Sequence, residues 1–256
     1  MGRLRFSANL GFLWTDRSLT RAIHAAKAAG FDAVELHWPY ETTSTEVAGT
    51  LRDLGIPCLG LNTRRGDVAS GENGLAALPG REAEARAAID EALAYGAEIG
   101  AANVHVMAGY AEGNDANTTF IANLTYACES AAARGMCILI EPLNRHDAPG
   151  YFLKTTGQAL SIIEKVGHNA LRLMFDCYHV QRTEGDISCR LTELMPHIGH
   201  IQIASVPDRG APDHGEIDFA HVFALLDKLG YDRPIGAEYK PQGDTEANLS
   251  WLGRAR

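Results

Sequence analysis

The feature that most narrows the fold of this chain is a rhythm. A short apolar run is followed by an Ala-rich amphipathic stretch, again and again, with no low-complexity or Pro/Ser-rich linker to interrupt it. Short apolar runs bounded by turn residues read as buried strands, and apolar residues at helical spacing read as helices. On that basis strands are predicted at 6–10, 33–36, 57–61, 103–107, 137–141, 171–176, 198–203 and 234–238. Helices are predicted at 19–29, 44–54, 81–99, 117–134, 156–166, 187–195, 219–229 and 246–252. Gly30, Gly55, Gly100, Gly135 and Gly230 stand where helix stops are expected. The polar, Gly-rich loop over 62–80 is long enough to imply a function beyond connection.

Strands alternating with helices admit a closed parallel barrel or an open doubly wound sheet. Two observations favour the barrel. The strands recur about every 32 residues, close to the length of a β/α unit. No GxGxxG follows the first strand, so the common open-sheet ligand signature is missing. The expectation is an α/β chain folded as a single (β/α)8 barrel spanning 1–256. Apolar residues at 46% against 21% charged supply a core of the size such a barrel needs.

The net charge of −9 argues against a nucleic-acid partner, because binding to a phosphate backbone rests on clustered Lys and Arg. It leaves room for an anionic small substrate, which needs only a local cation. The five cysteines are scattered without a CxxC, the usage of a reducing cytosol rather than of a disulfide framework or zinc knuckle. Met1-Gly2-Arg3-Leu4-Arg5-Phe6 lacks the apolar stretch of a signal peptide, and no run reaches membrane-spanning length. A cytoplasmic protein with no membrane partner is expected; a homo-oligomer is compatible with all of this.

The last four predicted strands each finish an apolar run on a polar residue: Glu141, Asp176, Gln202 and Glu238. In a (β/α)8 barrel the C-terminal strand ends form the active-site rim. Neighbouring strands lie about 5 Å apart, so the four groups can converge from one half of the mouth. Three carboxylates and an amide oxygen are a hard, all-oxygen set that suits Mg2+ or Mn2+ better than zinc. Without a cation the carboxylates would repel and at least one would hold its proton. His179 follows Asp176 at three residues and reaches the same mouth. His105, flanked by Val104 and Val106, points into the barrel by strand alternation. His200, two residues before Gln202 and one layer deeper, reads as a hydrogen-bonded core histidine. Phe12 and Trp14, just beyond the first strand, are positioned to wall the pocket, and Trp38 after the second strand is placed similarly.

With these residues in view the chain resembles the hydroxypyruvate isomerase family, within the broader xylose-isomerase-like TIM-barrel isomerases and epimerases. The resemblance runs nearly end to end. It is carried by Gly30-Phe31-Asp32-Ala33-Val34-Glu35, the segment 71–81 (GENGLAALPGR), Glu141-Pro142-Leu143-Asn144, Pro149-Gly150-Tyr151-Phe152-Leu153, Asp176-Cys177-Tyr178-His179-Val180-Gln181 and Gly236-Ala237-Glu238-Tyr239-Lys240-Pro241. It implies that Glu141, Asp176, Gln202 and Glu238 bind the metal, with Glu141 and Glu238 also the acid/base pair. It further implies substrate-binding roles for His179, Arg209 and Asp147, with Lys240 neutralising a substrate carboxylate. Related epimerases usually carry His where Gln202 stands. Departures fall at Arg64, where the family tends to have proline, and at Ala211, where an acid is common.

The reaction so implied interconverts hydroxypyruvate and 2-hydroxy-3-oxopropanoate through an enediolate, with the two glutamates moving the proton. An anionic substrate needs a cation in a site rich in acids. Arg209 and Lys240 are the expected ones, and Arg64 or Arg65 could reach in from the long loop. The nearest rival is a 2-oxo-tetronate isomerase, since one extra carbon in a pocket is worth only about 1–3 kcal/mol. A ketose 3-epimerase is disfavoured by Gln202. A metal-dependent abasic-site endonuclease would need a His-rich multi-zinc cluster and a basic surface. A non-catalytic ligand-binding barrel would bind metal without turnover.

Overall fold

Strands apolar on both faces must be covered on both, which a parallel sheet achieves by closing on itself inside a ring of helices. The computed structural model of the chain describes residues 4–255. The Met1-Gly2-Arg3 stretch and the outermost ends of the expected 1–256 span lie outside the described residues. The strands are β1 (Phe6–Asn9), β2 (Ala33–Glu35), β3 (Cys58–Asn62), β4 (Asn103–His105), β5 (Cys137–Ile140), β6 (Leu171–Asp176), β7 (Ile198–Ile203) and β8 (Ile235–Ala237). They form a closed barrel in sequence order, every neighbour parallel. Closure pairs Phe6 with Ile235 and Ala8 with Ala237.

The helices are α1 (Leu19–Ala28), α2 (Ser44–Leu54), α3 (Glu82–Ile99), α4 (Gly113–Ala132), α5 (Thr156–Val166), α6 (Cys177–Thr183), α7 (Ile187–Leu194), α8 (Phe219–Lys228) and α9 (Ser250–Arg254). The glycines read as helix stops all take positive φ. α2, α5, β6 and β7 have the bounds the sequence predicts. Three differences have physical causes. Helix α4 starts at Gly113 rather than 117, because the buried Ala116 and Phe120 pull a Gly-Asn-Asp segment of poor helix propensity into the first turn. Helix α6 has no counterpart in the reading; it is short and starts where the Asp176 carboxylate accepts a hydrogen bond from Tyr178 N at 2.9 Å. The predicted 246–252 helix divides into a 3-10 turn at Glu246–Asn248 and α9. No helix among the described residues is long and apolar enough to cross a membrane.

Strand alternation sorts the side chains into two layers. On β1, Phe6 faces the helices, edge-on to Phe223 of α8 and Trp251 of α9 at ring-centroid distances of 5.4 and 5.1 Å. Ser7 and Asn9 face inward and meet Glu35. The loop predicted to be functional turns back over the exit of β4: Ala76 N and Ala77 N donate to Met107 O and Ala108 O. Truncating Phe6, which is fully buried at the seam between the first and last strands, removes packing on both sides. Phe6→Ala is expected to lower the unfolding free energy by about 3–5 kcal/mol, read from the shift in urea midpoint at constant slope; a loss under about 1 kcal/mol would contradict a close-packed seam.

Candidate active site at the barrel mouth

Each strand delivers its last inward side chain to the same rim, and the polar tips predicted on the second half of the barrel do come together there. Glu141 follows β5, Asp176 ends β6, Gln202 lies near the end of β7, and Glu238 follows β8. All four are almost fully buried. Arg209, from the loop after β7, reaches in between two of the acids: its Nη2 lies 2.6 Å from Glu238 Oε2 and 3.6 Å from Asp176 Oδ2. Its guanidinium is flanked by the Phe12 and Tyr178 rings at 4.6 and 4.9 Å. Its backbone has a left-handed φ of 56°, a conformation that costs roughly 1 kcal/mol or more outside glycine. The backbone bonds Arg209 N to Ser205 O and Lys240 N to Arg209 O fix it there.

Several buried acids in one place push one another's proton affinities apart. Burial, with the charges of Glu238 and Asp176, lifts the Glu141 carboxyl well above its ordinary range. Burial also pushes Asp176 up to about 7, against the pull of Arg209. Glu238 goes the other way. Burial would raise it, but Arg209 and the His37 ring, whose Nε2 is 2.9 Å from Glu238 Oε1, outweigh that and hold it at about 2.

The histidines differ in role. Asn144 N donates to His179 Nδ1 at 3.0 Å, and burial with the nearby Arg209 charge drops the ring to about 3. A neutral ring that accepts at Nδ1 carries its proton on Nε2. That N–H faces Asp176 Oδ2 at 3.7 Å and Glu141 Oε1 at 3.9 Å, so it is a donor aimed into the site. His105 is buried, driven down to about 4 by desolvation, with Nδ1 3.8 Å from Glu141 Oε2. Asp147 borders the cluster, receiving Arg182 at 3.0 Å and Asn144 Nδ2 at 3.1 Å, with Arg209 Nη1 at 3.9 Å.

One expectation is corrected, at Lys240, and two open choices, at Arg64 and Trp14, resolve to the surface and to the core. Lys240 has an exposed side chain, and its contact with the site runs through its backbone N–H. Arg64 is turned outward into a two-bond pair with Glu91 at 2.7 and 3.0 Å, because that acid on α3 is the nearer partner. Trp14 packs into the core against Phe31 instead of walling the pocket. Phe12 does line the site, and Trp38 sits at its edge with Arg65 stacked 3.9 Å above the ring.

The sequence reading also missed half of the rim. Asn9, Glu35 and His37 come from the first two strands and the loop after β2. Asn9 Nδ2 donates to Glu238 Oε1 at 2.9 Å, and Gln202 Nε2 donates to Glu35 Oε2 at 2.8 Å. The signal was present: β1 and β2 end on Asn9 and Glu35, polar tips like those at or just beyond the ends of the later apolar runs. His37 fits only because residue 11 is glycine, since a Cβ there would stand 2.0 Å from the His37 ring.

The residues can hold a divalent cation. Glu141 Oε1, Asp176 Oδ2 and Gln202 Oε1 are buried oxygens without a hydrogen-bond partner among the described residues. Leaving such an atom unsatisfied costs about 1–3 kcal/mol. Among the described residues one cluster has cation-holding spacing, with ligand atoms of Glu141, Asp176 and His179 within 4.8 Å of one another. His179 Nε2 carries a proton, and the unpartnered Gln202 Oε1, on the strand position paired with Asp176, is a further buried oxygen donor.

Comparison with known proteins bears on this geometry. The family described as xylose isomerase-like TIM barrel matches residues 23–255. A protein of Cupriavidus necator named 2-oxo-tetronate isomerase is 44% identical over 252 residues, 97% of each chain. A protein of Mus musculus named putative hydroxypyruvate isomerase is 40% identical over 98% of this chain and 95% of its own. A solved structure described as AP endonuclease, family 2, from Brucella melitensis superposes with a TM-score of 0.95 at 35% identity, covering 99% of both chains.

The raised carboxyls set the expected pH dependence of metal binding. A carboxyl held above its usual range keeps its proton at neutral pH, and a cation must displace it. Affinity for Mn2+ is therefore expected to tighten as pH rises through about 7, where Asp176 sits, with protons released on binding. Calorimetry in two buffers of different ionisation enthalpy reads both effects. Binding that is flat with pH and releases no proton would dismiss the carboxylate site.

Proposed function

The chain belongs to the xylose isomerase-like TIM barrel family, and from that membership and the geometry at the mouth we propose an isomerase of a small hydroxy-carbonyl acid, with hydroxypyruvate and 2-hydroxy-3-oxopropanoate as its substrate pair. The observation that carries this is the opposed pair of glutamates: Glu238 held ionised at about 2, and Glu141 held well above its ordinary range, in one buried mouth. Two carboxyls driven apart by their surroundings are the arrangement proton transfer at adjacent carbons requires.

Glu141, Asp176, Gln202 and Glu238 are the residues that would hold the cation, with Mg2+ or Mn2+ favoured by the oxygen donors. A bound divalent ion supplies Lewis-acid stabilisation of the negative charge that develops on the two substrate oxygens. Glu238, already a carboxylate, takes the proton from the carbon bearing the hydroxyl. The enediolate that results is reprotonated on the neighbouring carbon by Glu141, the hydroxyl proton passes from the first oxygen to the second, and proton exchange with solvent returns Glu238 to the carboxylate and Glu141 to the acid. His179 Nε2–H donates to a substrate oxygen, and its tautomer is fixed beforehand by Asn144 N. Arg209 keeps Glu238 ionised and still has Nε without a partner among the described residues, a donor for the substrate carboxylate. Phe12 and the Tyr178 ring exclude water around that guanidinium.

A four-carbon acid is the second reading, favoured by the 44% identity to the Cupriavidus protein. An endonuclease reading, prompted by the description of the Brucella structure, is opposed by the net charge of −9 and by the carboxylate and amide donors. The deciding experiment is a panel of three- and four-carbon oxo-hydroxy acids, free ketoses and an abasic-site duplex, each assayed with and without EDTA. Turnover of one acid that EDTA abolishes and Mn2+ restores is the expected result; turnover of ketoses alone, or cleavage of the duplex, would replace the proposal. Glu238→Gln and Glu141→Gln should each lower kcat about 10²- to 10⁴-fold with circular dichroism unchanged. If either variant retains near-parental turnover, the two-glutamate scheme is wrong.

A further inference from the structure

Glu35 is a buried carboxylate that no step above uses. It ends β2, deeper in the barrel than the cluster, and is 5% exposed. Its two oxygens face different partners. Oε1 accepts from Ser7 Oγ at 2.5 Å and lies 3.0 Å from His200 Nε2. Oε2 accepts from Gln202 Nε2 at 2.8 Å and more weakly from Asn9 Nδ2 at 3.4 Å. The barrel wall makes room for this arrangement: a Cβ at Gly236 would stand 2.4 Å from Glu35 Oε1, and 2.8 Å from both Gln202 Cγ and His200 Nε2.

An amide side chain has two ends of nearly identical shape and opposite chemistry, and only the oxygen end can ligate a cation. Gln202 Nε2 donates to Glu35 Oε2 at 2.8 Å and more weakly to Glu238 Oε1 at 3.4 Å, and Oε1 is left buried without a partner among the described residues. We propose that Glu35 is a positioning residue that locks the Gln202 amide with its oxygen toward the cation site. The inference rests on the metal reading above and adds to it the group that makes an amide serve as a ligand. Both Glu35 oxygens act as acceptors, Oε1 from Ser7 Oγ and Oε2 from Gln202 and Asn9, so it is the amide nitrogen that faces it. Asn9 cannot substitute, since its own amide is fixed by Gly11 N donating to Oδ1 at 3.0 Å and by Nδ2 donating to Glu238.

The isosteric variant Glu35→Gln tests this. Ser7 Oγ donates to the Oε1 side, so the new amide nitrogen falls at the Oε2 side, donor against donor with Gln202 Nε2. Gln202 then flips and turns its nitrogen toward the cation site. Mn2+ affinity by calorimetry is expected to fall about 10- to 100-fold, the usual effect of losing a group that orients a ligand. The metal-free melting temperature separates this from mere support of the fold, which would lower that temperature and leave the affinity of the folded fraction unchanged. The swapped pair Glu35→Gln with Gln202→Glu keeps volume and charge and restores a donor facing an acceptor; its affinity should return to within about threefold of the parent. That double variant also covers a single variant that fails to fold. Parental affinity in Glu35→Gln, or a folded double variant no tighter than the single, would overturn the positioning role while leaving the metal site standing. A parent chain that binds no Mn2+ would overturn both.

Discussion

Like charges crowded away from water are the constraint on which the rest of this structure depends. Glu35, Glu141, Asp176 and Glu238 are all buried at or just below one barrel mouth. At an effective dielectric near 20, two unit charges about 4 Å apart repel by about 4 kcal/mol. The chain meets that cost by dividing the acids into two groups. Glu35 and Glu238 are given partners: His200, Ser7 and Gln202 for the first, Arg209 and His37 for the second. Glu141 and Asp176 are left with oxygens that no side chain among the described residues satisfies. The positive charge supplied by the protein thus stops short of the negative charge it buries, and the remainder is where a cation fits.

Much of the scaffold was legible because a closed parallel barrel imposes a strong local pattern. Strands covered on both faces cannot be written without apolar runs, and the helices between them need an amphipathic face and a stop. β6, long and ending on Asp176, and β7, long and carrying Gln202 beside its last residue, were therefore readable to the residue. Element ends were less so where packing overrides local preference, as at the start of α4. Helix α6 escaped because its cap is Asp176, a residue already read as a ligand; one carboxylate serves both purposes, accepting from Tyr178 N with one oxygen and facing the cluster with the other.

The site was legible in proportion to how directly each residue is presented by its strand. Glu141, Asp176, Gln202 and Glu238 follow from strand ends alone. Arg209 arrives by a loop whose left-handed residue no periodicity reveals, and its assignment came from resemblance. The choice between Arg209 and Lys240 as the buried cation was closed to sequence reasoning. Both lie in motifs, and only the fold shows that one guanidinium passes between two acids while the ammonium stays in water. Glu35 and His37 were overlooked for a simpler reason. Glu35 is a single polar tip on its strand and His37 lies in the loop beyond it, apart from the four acidic or amide tips that come in succession on the other half of the barrel.

The seam between β1 and β8 has a temporal meaning as well as a spatial one. The bond from Asn9 to Glu238 joins residues 229 positions apart, and Phe6 at the same seam packs against α8 and α9. Contacts of such long range form late, because the chain between them must already be ordered. During synthesis the proposed ligands at β5, β6 and β7 emerge before Glu238, which the proposal places with them. On the proposed chemistry a nascent barrel can hold most of its carboxylates and still be chemically silent, its reactivity switching on only as the last staves of the cask are driven home.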